Sequence, residues 1–127
     1  MELTNEQMKQ AQVLENCLRE SESQMEFINN QLSELNVFYM SLDSFSKSDN
    51  NKILASIGRG VFADANLTSK ELFVEVGKGV ILKKNPEQVK EILAGQIKKL
   101  SETRVFLQTQ IDFYMSSLQS LINSIEN

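Results

Sequence analysis

Ile53-Leu54-Ala55-Ser56-Ile57-Gly58-Arg59-Gly60-Val61-Phe62 reads as two short strands around a tight turn, and Leu72-Phe73-Val74-Glu75-Val76-Gly77-Lys78-Gly79-Val80-Ile81-Leu82 repeats the pattern. Branched and aromatic residues in short alternating runs favour strands, and a glycine pair one residue apart marks each turn. Thr68-Ser69-Lys70 is a polar link between two β-hairpins that fill residues 52–84. A phosphate loop would have to open a helix, whereas each Gly-x-Gly here joins strand to strand. Both hairpins carry apolar residues on both faces, with Val74 and Val76 on one side and Phe73 on the other. Four short strands cannot close a barrel alone, and their edges remain open to pairing. The chain is therefore expected to complete its sheet with partner chains.

Outward from this segment, the sequence becomes helical on both sides. Residues 1–46 contain no glycine or proline. Steps of three and four give Ala11, Leu14, Leu18, Ser21, Met25, Ile28, Leu32, Leu35, Tyr39 and Leu42. Only Ser21 interrupts this coiled-coil seam. Thr4-Asn5-Glu6-Gln7 fits a capping box, which starts the helix near residue 4. Beyond the hairpins, Asn85-Pro86-Glu87-Gln88 offers an N-cap, a proline at the first helical position and a capping partner. The second seam runs Leu93, Ile97, Leu100, Arg104, Leu107, Ile111, Tyr114, Leu118, Leu121, Ile125, broken only by Arg104. That arginine is expected to reach the edge of the seam and pair with Glu26. The predicted fold is α+β: residues 1–46 and 86–127 form a long antiparallel coiled-coil hairpin, and two β-hairpins at its closed end join an oligomeric β-barrel. Residues 1–127 are read as one domain.

Composition excludes most chemistry. The 127 residues include no histidine and one cysteine, Cys17. The usual metal ligand and general base are thus missing, and neither a disulfide within the chain nor a thiolate cluster can form. No catalytic, cofactor-binding or metal-ligating residue is expected. Cys17 has no neighbouring cation or histidine to activate it. No apolar run approaches the ~18 residues of a membrane span, and the acidic, polar start does not resemble a signal peptide. A cytoplasmic protein is the expectation. The net charge of −4 divides into −6 over residues 1–46, +3 over 47–86 and −1 over 87–127. Long acidic helices suit neither nucleic acid nor a membrane surface as partner.

Several apolar residues lie off the seams. Val13, Phe27, Phe106 and Phe113 fall on the outward side, while Met8, Cys17, Met115 and Ile122 fall on the flanks. Val37, Phe38, Met40, Val89 and Ile92 are expected to pack on the hairpins. Nothing in the chain is left to cover residues 1–20 and 112–127. Those ends are read as an adhesive tip, in which methionine adapts to varied apolar surfaces.

Helix, two hairpins, helix, with the core from Ile53 to Phe62, then Val74 to Val80, and entry to the second helix through Lys83-Lys84-Asn85-Pro86-Glu87-Gln88, resembles the alpha-class prefoldin subunits. The resemblance covers nearly the whole chain. Ser56 departs from it, standing where the family often carries proline. The compact tails point to an archaeal member. The resemblance implies a hexamer of two alpha-type and four beta-type subunits, whose hairpins build a joint barrel. It further implies an ATP-independent holdase that captures unfolded clients at coiled-coil tips and delivers them to a group II chaperonin. Met8, Val13, Cys17, Phe113, Met115, Leu118 and Ile122 are the candidate client-binding residues. Ile53, Ile57, Val61, Phe62, Phe73, Val74, Val76 and Val80 are the candidate assembly residues. The rival readings are a tethering coiled coil that binds one folded partner, and an enzyme whose site forms only on assembly.

Overall fold

The computed structural model describes residues 4–126. In chain order the elements are α1 (Asn5–Lys47), β1 (Lys52–Gly58), β2 (Val61–Asn66), β3 (Leu72–Gly77), β4 (Val80–Lys84) and α2 (Pro86–Glu126). Each helix start is fixed by the reciprocal hydrogen bonds of a capping box. The Gln7 amide donates to Thr4 Oγ1 at 3.1 Å, and the Thr4 amide donates to Gln7 Oε1 at 3.0 Å. At α2 the Gln88 amide donates to Asn85 Oδ1 at 2.8 Å, and the Asn85 amide to Gln88 Oε1 at 2.9 Å. Replacing Asn85 with alanine removes one of these bonds and should lower stability by about 1 kcal/mol, read from the midpoint of chemical denaturation.

The chain forms two compact units. The first comprises Met1–Glu34 and Ile97–Asn127. In it the helices run antiparallel, and Ile28, Leu32 and Leu107 form a buried cluster flanked by Met25, Ile97 and Leu100. The second comprises Leu35–Gln96. Its core is Leu42, Val89 and Leu93, packed by Leu35, Tyr39, Leu72 and Val74. Every expected seam residue from Ala11 to Leu42 and from Leu93 to Ile125 is buried or half-buried except Arg104. The three-four spacing thus names the helix faces that pack.

In the second unit β1 pairs with β2 and β3 with β4, both antiparallel, as two separate two-stranded sheets. All four strands are consequently edges among the described residues. The turns are tighter than two spaced glycines alone imply. Arg59 and Gly60 form one two-residue turn and Lys78 and Gly79 the other, with φ of 49°, 79°, 50° and 76°. Positive φ at both central residues is the type I′ geometry that matches strand twist. The preceding glycines, Gly58 and Gly77, lie within the strands beside a one-residue register shift. Their φ of 136° and 119° is a conformation that a side chain rarely adopts. Ile57 and Val76 are the extra residues of these bulges. Ser56, at the departure from the usual proline, pairs regularly with Phe62.

Candidate functional site

Cross-strand partners share a face of their hairpin. On one face of β3–β4, Leu72 pairs with Lys84 and Val74 with Leu82; on the other, Phe73 pairs with Lys83 and Glu75 with Ile81. Leu72 and Val74 pack on the Leu42–Val89–Leu93 cluster. Val74 is therefore covered in part by its own chain. The other candidate assembly residues are exposed, most of all Ile57 at 72% and Phe73 at 71%, with Val61, Phe62, Val76, Val80 and Ile53 behind them. Leu54 and Ile81 belong with this group and are 67% and 61% exposed. Their place in the alternating runs was the signal that could have found them.

Val37, Phe38, Met40 and Ile92 do not pack on the hairpins as expected. They are exposed, and only Val89 of that set is buried. The reason is angular. The hairpin residues Leu72 and Val74 meet the seam faces of the helices at Leu42 and Val89, which leaves the off-seam flanks uncovered. Val37 and Met40 instead line a shallow groove with Ser41 and Ser44.

The second unit also holds a buried charge that the sequence pattern did not indicate. Lys90 is 8% exposed. Its Nζ lies 3.0 Å from Asp43 Oδ1 and 2.9 Å from Glu87 Oε1, and Asp43 Oδ2 accepts from Lys47 at 3.0 Å. The contacts with Glu87 and then Asp43 push the Lys90 ammonium above its ordinary range. The bonds from Lys47 and then Lys90 hold the Asp43 carboxyl below its own. Such a network fixes the register of neighbouring helical turns and leaves no unpaired buried charge.

Among the candidate client-binding residues of the first unit, Met8, Val13, Phe113, Met115 and Ile122 are exposed, and Cys17 and Leu118 are half-buried. Val13 lines a groove with Leu14, Ser117, Ser120 and Leu121. The Phe113 ring meets Tyr114 edge-on at 5.8 Å, and Tyr114 shares a second groove with Cys17. Arg104 does not pair with Glu26. It is exposed and makes no ion pair among the described residues. Three residues further along α2, Leu107 packs with Ile28 and Leu32. Antiparallel running then sets Arg104 beside the turn after Ile28, away from Glu26. Arg104→Leu should extend the apolar seam and leave the melting temperature unchanged or raised.

A set of edges without cover and helix ends rich in exposed apolar residues matches a known arrangement. Residues 14–127 match the family described as Prefoldin subunit. The chain belongs to the prefoldin family. Prefoldin is a class of non-enzymatic chaperones that work as oligomers. Among solved structures, the prefoldin chain is similar to the cryo-EM structure of filamentous PFD from Methanocaldococcus jannaschii. The TM-score is 0.72 at 16% identity, over 95% of this chain and 99% of that one. At that identity the likeness concerns the fold. No curated protein sequence matches this prefoldin chain. Among the described residues, no helix is long and apolar enough to cross a membrane.

Proposed function

We propose that this chain is an alpha-class prefoldin subunit of archaeal type, a single domain that acts as an ATP-independent holdase in the cytoplasm. Two copies join four beta-type subunits, and the hairpins of all six contribute to a shared β-barrel. The helix ends hold unfolded clients and pass them to a group II chaperonin. One observation carries the reading: large apolar side chains stand exposed both on strand edges and on the helix ends, as different tasks require. Ile57, Phe73 and Val76 are bulky, exposed residues on short paired strands. Exposure of this extent marks an interaction surface. Val13, Phe113, Met115 and Ile122 belong to the other unit, and each is exposed there. Scattered contacts of that kind give weak and reversible holding at each site, which combines into avidity when several subunits engage one client.

Native mass spectrometry of the chain co-expressed with beta-type subunits tests the assembly. The expected species contains two copies of this chain and four partners. A monodisperse monomer at micromolar concentration with cooperative melting would contradict it. So would a filament of this chain alone; the Methanocaldococcus jannaschii structure is described as filamentous.

A further inference from the structure

The two hairpins are alike in turn and bulge but not in what holds them. β3–β4 belongs to the core of its unit, because Leu72 and Val74 pack on Leu42, Val89 and Leu93. Its base is closed by an ion pair, with Lys83 Nζ and Glu71 Oε2 2.6 Å apart. Just before it, the Lys70 ammonium lies 4.6 Å from the centre of the Phe45 ring of α1. β1–β2 lacks ties of this kind. Among the described residues, none of its side chains belongs to a buried cluster or makes an ion pair. Its half-buried residues are the small Ala55, Ala63 and Ala65, while Ile53, Leu54, Ile57, Val61 and Phe62 are exposed. One backbone bond, from the Leu67 amide to the Asn51 carbonyl at 2.7 Å, closes its base.

Pairing within the ribbons differs in the same direction. β1–β2 sets Ile53 opposite Ala65, Leu54 opposite Asp64 and Ala55 opposite Ala63. Alanine and aspartate are poor strand formers, and an alanine pair is the reference over which larger pairs gain. β3–β4 sets Phe73 opposite Lys83, Val74 opposite Leu82 and Glu75 opposite Ile81. A two-stranded hairpin without cover is marginally stable at best in water. By packing and by pairing, β1–β2 is the weaker ribbon.

We propose that β1–β2 is an assembly-coupled element: it opens locally in the free chain while β3–β4 stays closed on the helices, and partner strands order it. The inference rests on the assembly reading and gives the two hairpins unequal tasks. β3–β4 is a preformed surface for the first partner contact. β1–β2 then folds against a strand of a beta-type subunit. Its outer edges are unpaired and its large apolar residues exposed. A partner strand answers both needs, with backbone bonds along the edge and side chains over the face. A segment that orders on binding lowers the affinity gained per area of contact. The stability of β1–β2 therefore sets how readily a subunit leaves the assembly.

Hydrogen exchange read by mass spectrometry on the full chain compares both hairpins in one experiment. One sample is the chain alone, diluted until native mass spectrometry shows single copies. The other is the chain in its assembly with beta-type subunits. In the free chain, residues 52–66 should exchange at least about tenfold faster than residues 72–84, since docking one large apolar side chain is worth roughly a decade or more. In the assembly both should be protected, with the larger gain at β1–β2. Trypsin gives a second readout, because each turn presents a basic residue before glycine, Arg59-Gly60 and Lys78-Gly79. With Arg59→Lys making the two sites chemically equal, the free chain should be cut first after position 59, and the assembly at neither turn. Arg59→Asn places a residue favoured in a type I′ turn. It should slow exchange of β1–β2 in the free chain and leave β3–β4 unchanged. Equal exchange of the two hairpins in the free chain, fast or slow, or first cleavage after Lys78, would overturn the proposal and leave the assembly reading standing. Unprotected β1–β2 within an intact assembly would likewise overturn it. Failure of the chain to join beta-type subunits would overturn both.

Discussion

Changing Val13, Phe113, Met115 and Ile122 together to serine is expected to abolish protection of a chemically denatured client while the assembly survives. All four side chains are exposed, so the substitutions remove contact surface without opening a core. Burying one such side chain is worth at most about 1.5–3 kcal/mol. A single substitution should therefore weaken holding by roughly tenfold, since 1.4 kcal/mol is one decade. Loss at four positions on each copy compounds, because avidity multiplies the deficit over every arm that grips the client. Light scattering of the diluted client measures the loss, and native mass spectrometry checks that the subunit count is kept. Protection equal to that of the parent would move the clients onto the partner subunits.

The second large effect is on assembly. Ile57→Asp combined with Val76→Asp should release free subunits. Both residues are the extra members of β-bulges, and both are open to solvent in the single chain. Carboxylates there cost the lone chain little. In a completed barrel each would be a buried, unpaired charge, a change that costs about 3–5 kcal/mol where one partner of a buried pair is lost. Even one such charge weakens association by roughly 100-fold or more. Val74 is a poorer choice for this test. It packs on the Leu42–Val89–Leu93 cluster, so aspartate there would damage the chain's own core. Assembly of the double variant at parental yield would show that these strand faces are not the subunit interface.

How much of this was legible in the sequence depended on the physical source of each feature. Helix caps at Thr4 and Asn85 and the two seams follow from local rules with short reach, and they appear with the expected partners. The hairpins follow from alternation and glycine, although the turns centre on Arg59-Gly60 and Lys78-Gly79. Ile57 and Val76, two residues ahead of each turn, supply bulges that no composition rule specifies. What local rules could not give was the rotation of one element against another. Val37, Phe38, Met40 and Ile92 looked like hairpin contacts but are exposed, because the hairpin meets the seam faces. Arg104 was matched to Glu26 by counting residues, and a shift of one turn separates them. Lys90 gave no signal at all: a lysine in a helix reads as surface until Asp43 and Glu87 are seen around it. At the candidate site, heptad position identified the exposed phenylalanines, but the groove shared by Cys17 and Tyr114 required the packed helices.

The measurement that bears most directly on the holdase account is light scattering of a chemically denatured client diluted into buffer without nucleotide. Increasing amounts of the native assembly containing this chain should suppress the scattering until it levels off near one assembly per client. Native, folded client should neither bind nor compete. Undiminished scattering at a tenfold excess of assembly, or stoichiometric binding to a folded protein alone, would contradict the account and favour a tethering coiled coil.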